Sequence, residues 1–338
     1  LKPLSTVTAW YSSGQRKTDI HVYVPESAMM AFQVDDSAAN LPLLLVEMPA
    51  PSPARGQLLI KVHAAGVIAT ELLWYPTKHR ENGDPRFHAI PGHEFSGTVA
   101  GLADGSAGFA PGDEVYGMNN WFWEGATAEY CVTVPSSIAI KPKSLTHIEA
   151  ATVPISALTA WQGLFDRAAI QPGERILVQG GAGAVGLFVV QLAHRHGALV
   201  TATASSKDIS LLQTLGADEV IDYKATNFED GLPPVDVVFD TVGGSIRKRS
   251  ATVLKRSGRM ITIAADEEVN TDPEARAAYF IVEPNQAQLI EIGRLLDEGH
   301  LKTFVKGVVP FKDAGLAYAG AVPDKSTSGK LVVEIVSS

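Results

Sequence analysis

Gly181, Gly183 and Gly186 carry the spacing G-x-G-x-x-G. They stand between a short apolar run, Arg175-Ile176-Leu177-Val178-Gln179, and a stretch of helix formers reaching about His196. Each glycine answers a geometric need. Gly181 permits a tight turn, Gly183 lets backbone approach a pyrophosphate, and Gly186 lets the helix pack close on a sheet. Ala184 and Val185 open the helix, where free N–H groups and the positive end of the dipole meet the phosphates. Glycine-rich stretches are common, so the spacing alone says little. Its place between a strand and a helix, with a second strand following over Ala198–Ala204, points to dinucleotide binding.

The end of that second strand bears on which dinucleotide is held. An acid there accepts from a ribose 2′-hydroxyl and repels a 2′-phosphate. The chain reads Thr203-Ala204-Ser205-Ser206-Lys207, with no acid before Asp208. Two hydroxyls and an ammonium suit a phosphate, so NADPH is the expected cofactor. Ser206 also fits as the cap of a helix running through Leu211 and Leu212, and the two roles are compatible.

Strands alternating with helices must position these residues, and the alternation runs over 153–282, the pattern of a doubly wound parallel sheet. Residues 28–152 are strand-rich and broken by turns. Leu58–Ala64, Gly97–Ala100 and Ala128–Val134 read as strands, and Pro111-Gly112-Asp113 as a turn leading into another. After Pro284 a helix is expected over Gln286–Glu298, with Leu289, Ile292, Leu295 and Leu296 on one face. Strands over Val305–Pro310 and Lys330–Val336 follow. Because these resemble the first zone, residues 283–338 are expected to join residues 28–152 in one β-rich domain, with a Rossmann domain over 153–282 inserted between. Residues 1–27 read as an N-terminal extension in which Thr6–Tyr11 and Asp19–Val24 pair as a hairpin.

The chain has 338 residues, 46% of them hydrophobic, which is enough for two cores. A net charge of -9 argues against a nucleic acid or an anionic membrane as partner. No apolar run is long enough to span a bilayer. The single cysteine, Cys131, reads as a packed hydrophobe in a strand, and one cysteine excludes a cysteine cage for a metal. No secretory signal opens the sequence, so a cytoplasmic location is expected, while an organellar leader trimmed before Leu1 stays open.

Further stretches carry a family pattern: Gly66-Val67, Pro91-Gly92-His93-Glu94-Phe95-Ser96-Gly97, Pro111–Val115, Gly216–Tyr223, Val237–Gly244 and Gly329-Lys330-Leu331-Val332. With Ala182–Gly186 they resemble the medium-chain dehydrogenase/reductase superfamily, and within it the zinc-free quinone oxidoreductases related to zeta-crystallin, over roughly Met29–Ser338. The resemblance implies an α/β protein with a GroES-like β-rich catalytic domain, a Rossmann domain, a cofactor cleft between them, and a homodimer. It implies that Tyr223 lies beside the 2′-phosphate with Ser205, Ser206 and Lys207. It also implies that Thr159, Thr241, Ala264, Phe280, Ile281 and Val282 approach the nicotinamide half, and Lys330 is assigned to the same cofactor. Ordinary strand burial accounts for Phe280 and Val282 equally well.

Zinc-dependent members place a cysteine after Ala-Gly-Val, a histidine in Gly-His-Glu, and a later Cys or Asp. This chain has Ile68 at the first position, His93 at the second, and apolar Val153–Ser156 at the third. Isoleucine cannot coordinate a metal, and one His with one Glu does not complete a tetrahedral site, so no metal is expected. His93 is then a hydrogen-bonding residue at the cleft, or a direct participant in proton transfer. Without a Lewis acid the easier hydride acceptor delocalises charge by itself, as quinones and α,β-unsaturated carbonyls do. Thr70 matches the proton-relaying hydroxyl of the alcohol dehydrogenases and Glu71 an acidic neighbour, although Thr70 also fits as a helix cap. Where the quinone reductase branch often has Asn and Tyr, this chain has Ile68 and Leu73, and Tyr75 is a candidate substitute. Trp74 and the loop Trp121-Phe122-Trp123 are expected to line the substrate pocket and favour a flat apolar or aromatic substrate, with packing at a domain or subunit contact as the other reading. An enoyl-thioester reductase, with Lys78, His79 and Arg80 as a basic entrance, and an NADPH-binding protein of low turnover stay open as alternatives.

Overall fold

The computed structural model describes residues 28–37, 42–320 and 328–336; the expected N-terminal extension and its hairpin lie outside the described residues. Strands β1 (Ala28–Val34) and β2 (Leu43–Pro49) form an antiparallel ribbon. Five strands follow: β3 (Leu58–Val67), β4 (Glu94–Leu102), β5 (Glu114–Met118), β6 (Tyr130–Thr133) and β7 (Ile138–Ile140). Next come β8 (Arg175–Gln179), β9 (Leu199–Ala204), β10 (Glu219–Asp222), β11 (Val235–Asp240) and β12 (Leu254–Thr262), and the chain closes with β13 (Val305–Pro310) and β14 (Lys330–Glu334).

Strands β8 to β12 make a parallel sheet in the order β10-β9-β8-β11-β12. Their apolar runs are nearly continuous because both faces are covered, and Ile176, Leu177, Val178, Val200, Val237 and Phe239 are fully buried. Helices supply the cover. The helix Ala184–Arg195 buries Gly186 to Ala193 and keeps His194 and Arg195 for its last turn, where cations complement the dipole. The fold therefore joins a Rossmann-type parallel sheet, which the α/β alternation predicts, to the GroES-like domain that the family resemblance implies.

The other sheet runs β13-β14-β3-β4-β5-β7, with β6 also on β3. Strand β14 pairs antiparallel with β3, Leu331 opposite Val67, so the last strands do return to the early sheet. Helix Gln286–Asp297 buries Leu289, Ile292, Leu295 and Leu296, the face its periodicity predicts. The Tyr116 hydroxyl donates to Leu289 O at 2.6 Å and ties that helix to β5. One strand is shorter than its alternation suggests. Ala128 bridges to Ala31 of the ribbon, so the chain joins β3 only from Tyr130 onwards. Cys131 is buried in β6, and burial pushes its thiol pKa up, which keeps it an inert hydrophobe.

Two histidines stack where the sheet meets the short helix His147–Ala150. The rings of His63 and His147 lie 4.1 Å apart at 29°. His147 Nδ1 is 2.8 Å from Ser96 Oγ and its Nε2 is 3.3 Å from Glu114 Oε1, while His63 Nε2 is 3.1 Å from Thr98 Oγ1. Burial, and then the His63 charge, hold His147 down at about 4; Lys141 acts the same way and Glu114 opposes it. Burial and then Lys61 lower His63, again against Glu114. An imidazole with a depressed folded pKa stabilises the protein above its unfolded value of about 6.5 and loses that contribution as pH falls toward the folded value. Acidification from pH 7 to 4.5 is therefore expected to cost about 1–2 kcal/mol at this pair, the full shift being discounted for solvent contact. His147→Gln should flatten that loss in urea melts taken across the range, and an unchanged acid slope would refute the assignment.

Candidate active site

The turn after β8 is shaped for a close ligand. Gly181 N–H donates to Thr203 O at 2.9 Å and Gly180 N–H to Thr203 Oγ1 at 3.1 Å, which locks the turn onto β9. A Cβ on Gly186 would lie 2.3 Å from Gly180 O and 2.8 Å from Gly181 Cα, so only glycine lets the helix start this close to the strand. Gly183 is exposed and meets only Gly180 O, at 3.2 Å. No side chain caps the helix that Ala184 and Val185 begin, so its first N–H groups face outward for an anion. This cradle fits a dinucleotide pyrophosphate.

At the end of β9, Ser206 and Lys207 are exposed in a 3-10 turn, and Tyr223 is 57% exposed at the end of β10. The helix through Leu211 begins at Ile209, and Ser206 does not cap it. Ser205 donates its hydroxyl to Asp208 at 2.7 Å. Thr241 donates to Gln179 O at 2.8 Å beside the glycine turn. The buried Asp240 carboxylate accepts from Val242 N, Gly243 N and Thr262 Oγ1, shaping the turn that brings Gly243 against Ala264. Thr159 is buried and donates to Ile155 O at 2.6 Å in its own helix.

Phe280 and Val282 are buried while Ile281 is 56% exposed, so the segment alternates like a short strand. Two side chains from other elements hold its end. Trp121 Nε1 donates to Val282 O at 2.9 Å. Gln162 donates to Glu283 O at 2.8 Å and accepts from Glu283 N at 3.1 Å. Gln162 opens a π-helical turn, Gln162–Arg167, that no periodicity in the sequence announces, and such turns recur at functional sites.

Beside Trp121 lies a cluster that the sequence reading largely names. Trp74 meets Trp121 edge-on at 5.1 Å, and His93 sits 5.2 Å from Trp121. His93 Nε2 lies 3.3 Å from Trp123 O, and its Nδ1 is 3.6 Å from Glu71 Oε1, a contact too long for a hydrogen bond. Glu71 accepts from Gly92 N–H, and both Glu71 Oε2 and His93 Nδ1 are buried without a hydrogen-bond partner. The buried Arg86 guanidinium donates to Pro76 O at 2.9 Å and Trp123 O at 2.7 Å, and so clamps the loop holding the aromatics, where Phe122 is half-buried. Thr70 is exposed within the turn Ala69–Leu73 and is not its cap. Tyr75 is 56% exposed and stacks on His79 at 4.2 Å. Neither Thr70 nor Tyr75 makes a hydrogen bond or ring contact with His93, Trp74 or Trp121.

Lys330 is buried against Glu94 and lies 3.2 Å from Ser156 Oγ, while Glu94 Oε2 accepts from Ile155 N at 3.0 Å. Burial pulls the ammonium down to about 7, and the Glu71 carboxylate pulls the other way. The Glu94 carboxylate in contact with it also favours the charged form. Arg86 and Gln162 thus join the candidate site without having been singled out above, while Glu71, Glu94 and Asp208 were named there only beside other candidates. For Glu71 and Glu94 the chain gave a signal in their motif neighbours; Gln162 and Arg86 carried none.

The donors do not fit a catalytic zinc. Among the described residues no three His, Cys, Asp or Glu side chains gather for a metal, and Ile68 and the apolar residues that open helix Pro154–Trp161 can donate no side-chain ligand beside Glu71 and His93. No helix among the described residues is long and apolar enough to cross a membrane.

The alcohol dehydrogenase GroES-like domain matches residues 54–180, and the zinc-binding dehydrogenase domain matches residues 215–333. A probable zinc-binding oxidoreductase, mitochondrial, of Arthroderma benhamiae is 31% identical over 93% of this chain and 98% of its own length. An NADPH-dependent alkenal/one oxidoreductase, chloroplastic, of Arabidopsis thaliana is 33% identical, with 84% of this chain and 73% of that protein covered. The solved quinone oxidoreductase from Coxiella burnetii superposes with a TM-score of 0.81 at 28% identity, covering 92% of this chain and all of that one. Fold and site define an oxidoreductase that uses a nicotinamide dinucleotide. The chain belongs to the medium-chain dehydrogenase/reductase superfamily, in its quinone-oxidoreductase-like branch.

The two glycines separate packing from ligand approach. Gly186→Ala should lower the melting temperature by several degrees because its Cβ meets fixed backbone. Gly183→Ala should melt within about 2 °C of wild type, since its Cβ would meet a single backbone oxygen at 3.2 Å, yet bind cofactor at least about tenfold more weakly. Calorimetry and cofactor titration of both variants check this, and equal binding by Gly183→Ala would remove the cradle assignment.

Proposed function

We propose that this protein is an NADPH-dependent, metal-independent reductase of quinones or α,β-unsaturated carbonyls. The observation that carries the reading is the site itself: Trp121 joins Trp74 and His93 and holds Val282 O, and beside these rings lies only the Glu71–His93 pair, which is no ligand set. The cofactor supplies a hydride when bound. This chain's residues bind, orient and neutralise. Ser206, Lys207 and Tyr223 receive the 2′-phosphate, and the glycine turn receives the pyrophosphate. Trp74 and Trp121 offer edges and faces to a flat apolar acceptor, whose delocalised oxyanion needs only hydrogen-bond donors. The exposed Thr70 hydroxyl serves as that donor, with Tyr75 as the second candidate and the buried His93 beside Trp121 as the third. The Arabidopsis and Coxiella relatives, named for alkenals or enones and for quinones, support the substrate class.

Enoyl-thioester reduction shares this chemistry and differs in needing a basic entrance, for which Lys78, His79 and Arg80 stand beside Tyr75. NADPH absorbance followed with a simple quinone, an aryl enone, an enoyl thioester and a plain ketone, with and without a chelator, tests the reading. Chelator-insensitive turnover of quinone or enone, none of the ketone, and a drop in kcat/KM of about tenfold or more in Thr70→Val are expected. Chelator-sensitive ketone reduction would overturn it. NADPH binding with no turnover of any substrate would favour a low-turnover binding protein instead.

A homodimer completes the proposal. Strand β12 lies at one end of the parallel sheet, and beyond it only Thr262 bridges onward, to Tyr279. Its open edge suits a second copy of the chain. Light scattering should give twice the chain mass, and a monomer at micromolar concentration would exclude it.

A further inference from the structure

Asp208 follows the turn that ends β9, and it is 9% exposed. It occupies the cap position of helix Ile209–Thr214 but makes no capping hydrogen bond to it. Its carboxylate is turned the other way. Oδ2 accepts from the Ser205 hydroxyl at 2.7 Å, and Oδ1 accepts from the Ser328 hydroxyl at 2.7 Å. A serine hydroxyl has one proton. Ser205 uses its proton on Asp208, and so presents only lone pairs to an anion arriving at the end of β9.

We infer that Asp208 is a specificity-determining residue that limits how strongly this protein prefers NADPH over NADH. The inference rests on the NADPH reading above. Of the polar residues at the end of β9, Ser206 and Lys207 are exposed, and Tyr223 follows directly after β10. Ser205 is withdrawn from donating to the 2′-phosphate, and a carboxylate stands one hydrogen bond behind it. A phosphate resting on Ser205 would lie roughly 5–6 Å from that carboxylate, given two successive hydrogen-bond lengths. At such a distance, in a partly buried setting, like charges repel enough to change binding by about tenfold or more. NADH has a neutral hydroxyl at that place and is indifferent to the charge. Asp208 therefore lowers NADPH affinity selectively and leaves NADH a usable cofactor.

Ser328 gives the acid a second partner, two residues before Lys330. That partner separates an electrostatic role from a structural one. Ser328→Ala releases the C-terminal segment from Asp208 but leaves the charge in place. Asp208→Asn removes the charge, keeps one oxygen to accept from one hydroxyl, and turns its amide N–H toward the oxygen of the other.

The experiment is a titration of the purified protein with NADPH and with NADH, following tryptophan fluorescence at constant ionic strength. Asp208→Asn is expected to tighten NADPH about tenfold with NADH within about twofold, and Ser328→Ala to leave the ratio of the two dissociation constants unchanged. If Asp208→Asn is poorly folded, Asp208→Ser removes the same charge with a smaller side chain and should shift the ratio in the same direction. Equal weakening of both cofactors by Asp208→Asn, or an unchanged ratio, would show that the acid is only structural and overturn the inference while the NADPH reading stands. Wild-type protein that prefers NADH would instead sink the NADPH reading itself.

Discussion

One buried carboxylate, Glu94, joins the parts of this molecule that must stay in register. It lies on β4 in the middle of the early sheet, fully excluded from water. A carboxylate in that position is costly unless each oxygen has a partner. One oxygen takes the Lys330 ammonium from β14, and the other takes the N–H of Ile155 at the start of the helix that leads toward the parallel sheet. The last strand and the first helix of the wound region are thereby fastened to the same group. Gly66 belongs to this arrangement, because a Cβ there would fall 2.6 Å from Glu94 Cγ. Removing Lys330 alone would leave the charge unpaired, which is why the pair acts as one unit.

From that anchor the constraint runs to the aromatic cluster around Trp121. Helix Pro154–Trp161 continues into the π-helical turn, and that turn carries Gln162 to Glu283. Trp121 holds the adjacent residue Val282 from the opposite side. Two consecutive backbone positions are thus fixed by side chains from a helix and from a β-domain loop. Arg86 fixes the loop in turn through carbonyls of Pro76 and Trp123. The aromatic cluster is set by hydrogen bonds to main chain, and a one-residue slip in any of these segments would misplace it.

The same region combines apolar packing with a buried acid and a buried imidazole. Ile68 packs against the large core, and the apolar start of helix Pro154–Trp161 closes the other side. Glu71 and His93 remain, both buried, with one unpartnered polar atom on each. Buried atoms of that kind are rare in a closed core and concentrate where a ligand or a reaction uses them.

Much of this was legible in the residues. The glycine spacing between β8 and the helix after it, the apolar strands of the parallel sheet and the face of helix Gln286–Asp297 follow from local periodicity and steric need, which neighbours in sequence are enough to express. The aromatic cluster around His93 was legible through its loop and its motif. Tertiary structure alone decided the partners. Ser205 and Lys207 read alike as phosphate donors until Asp208 takes one of them. Lys330 reads as a cofactor contact in the sequence, and the fold buries it against Glu94. Gln162 and Arg86 carry no local signal, because their function is to satisfy carbonyls that lie far away in the chain. A hydrogen bond or a desolvated charge depends on which groups share a small volume, and that is settled only when distant segments meet.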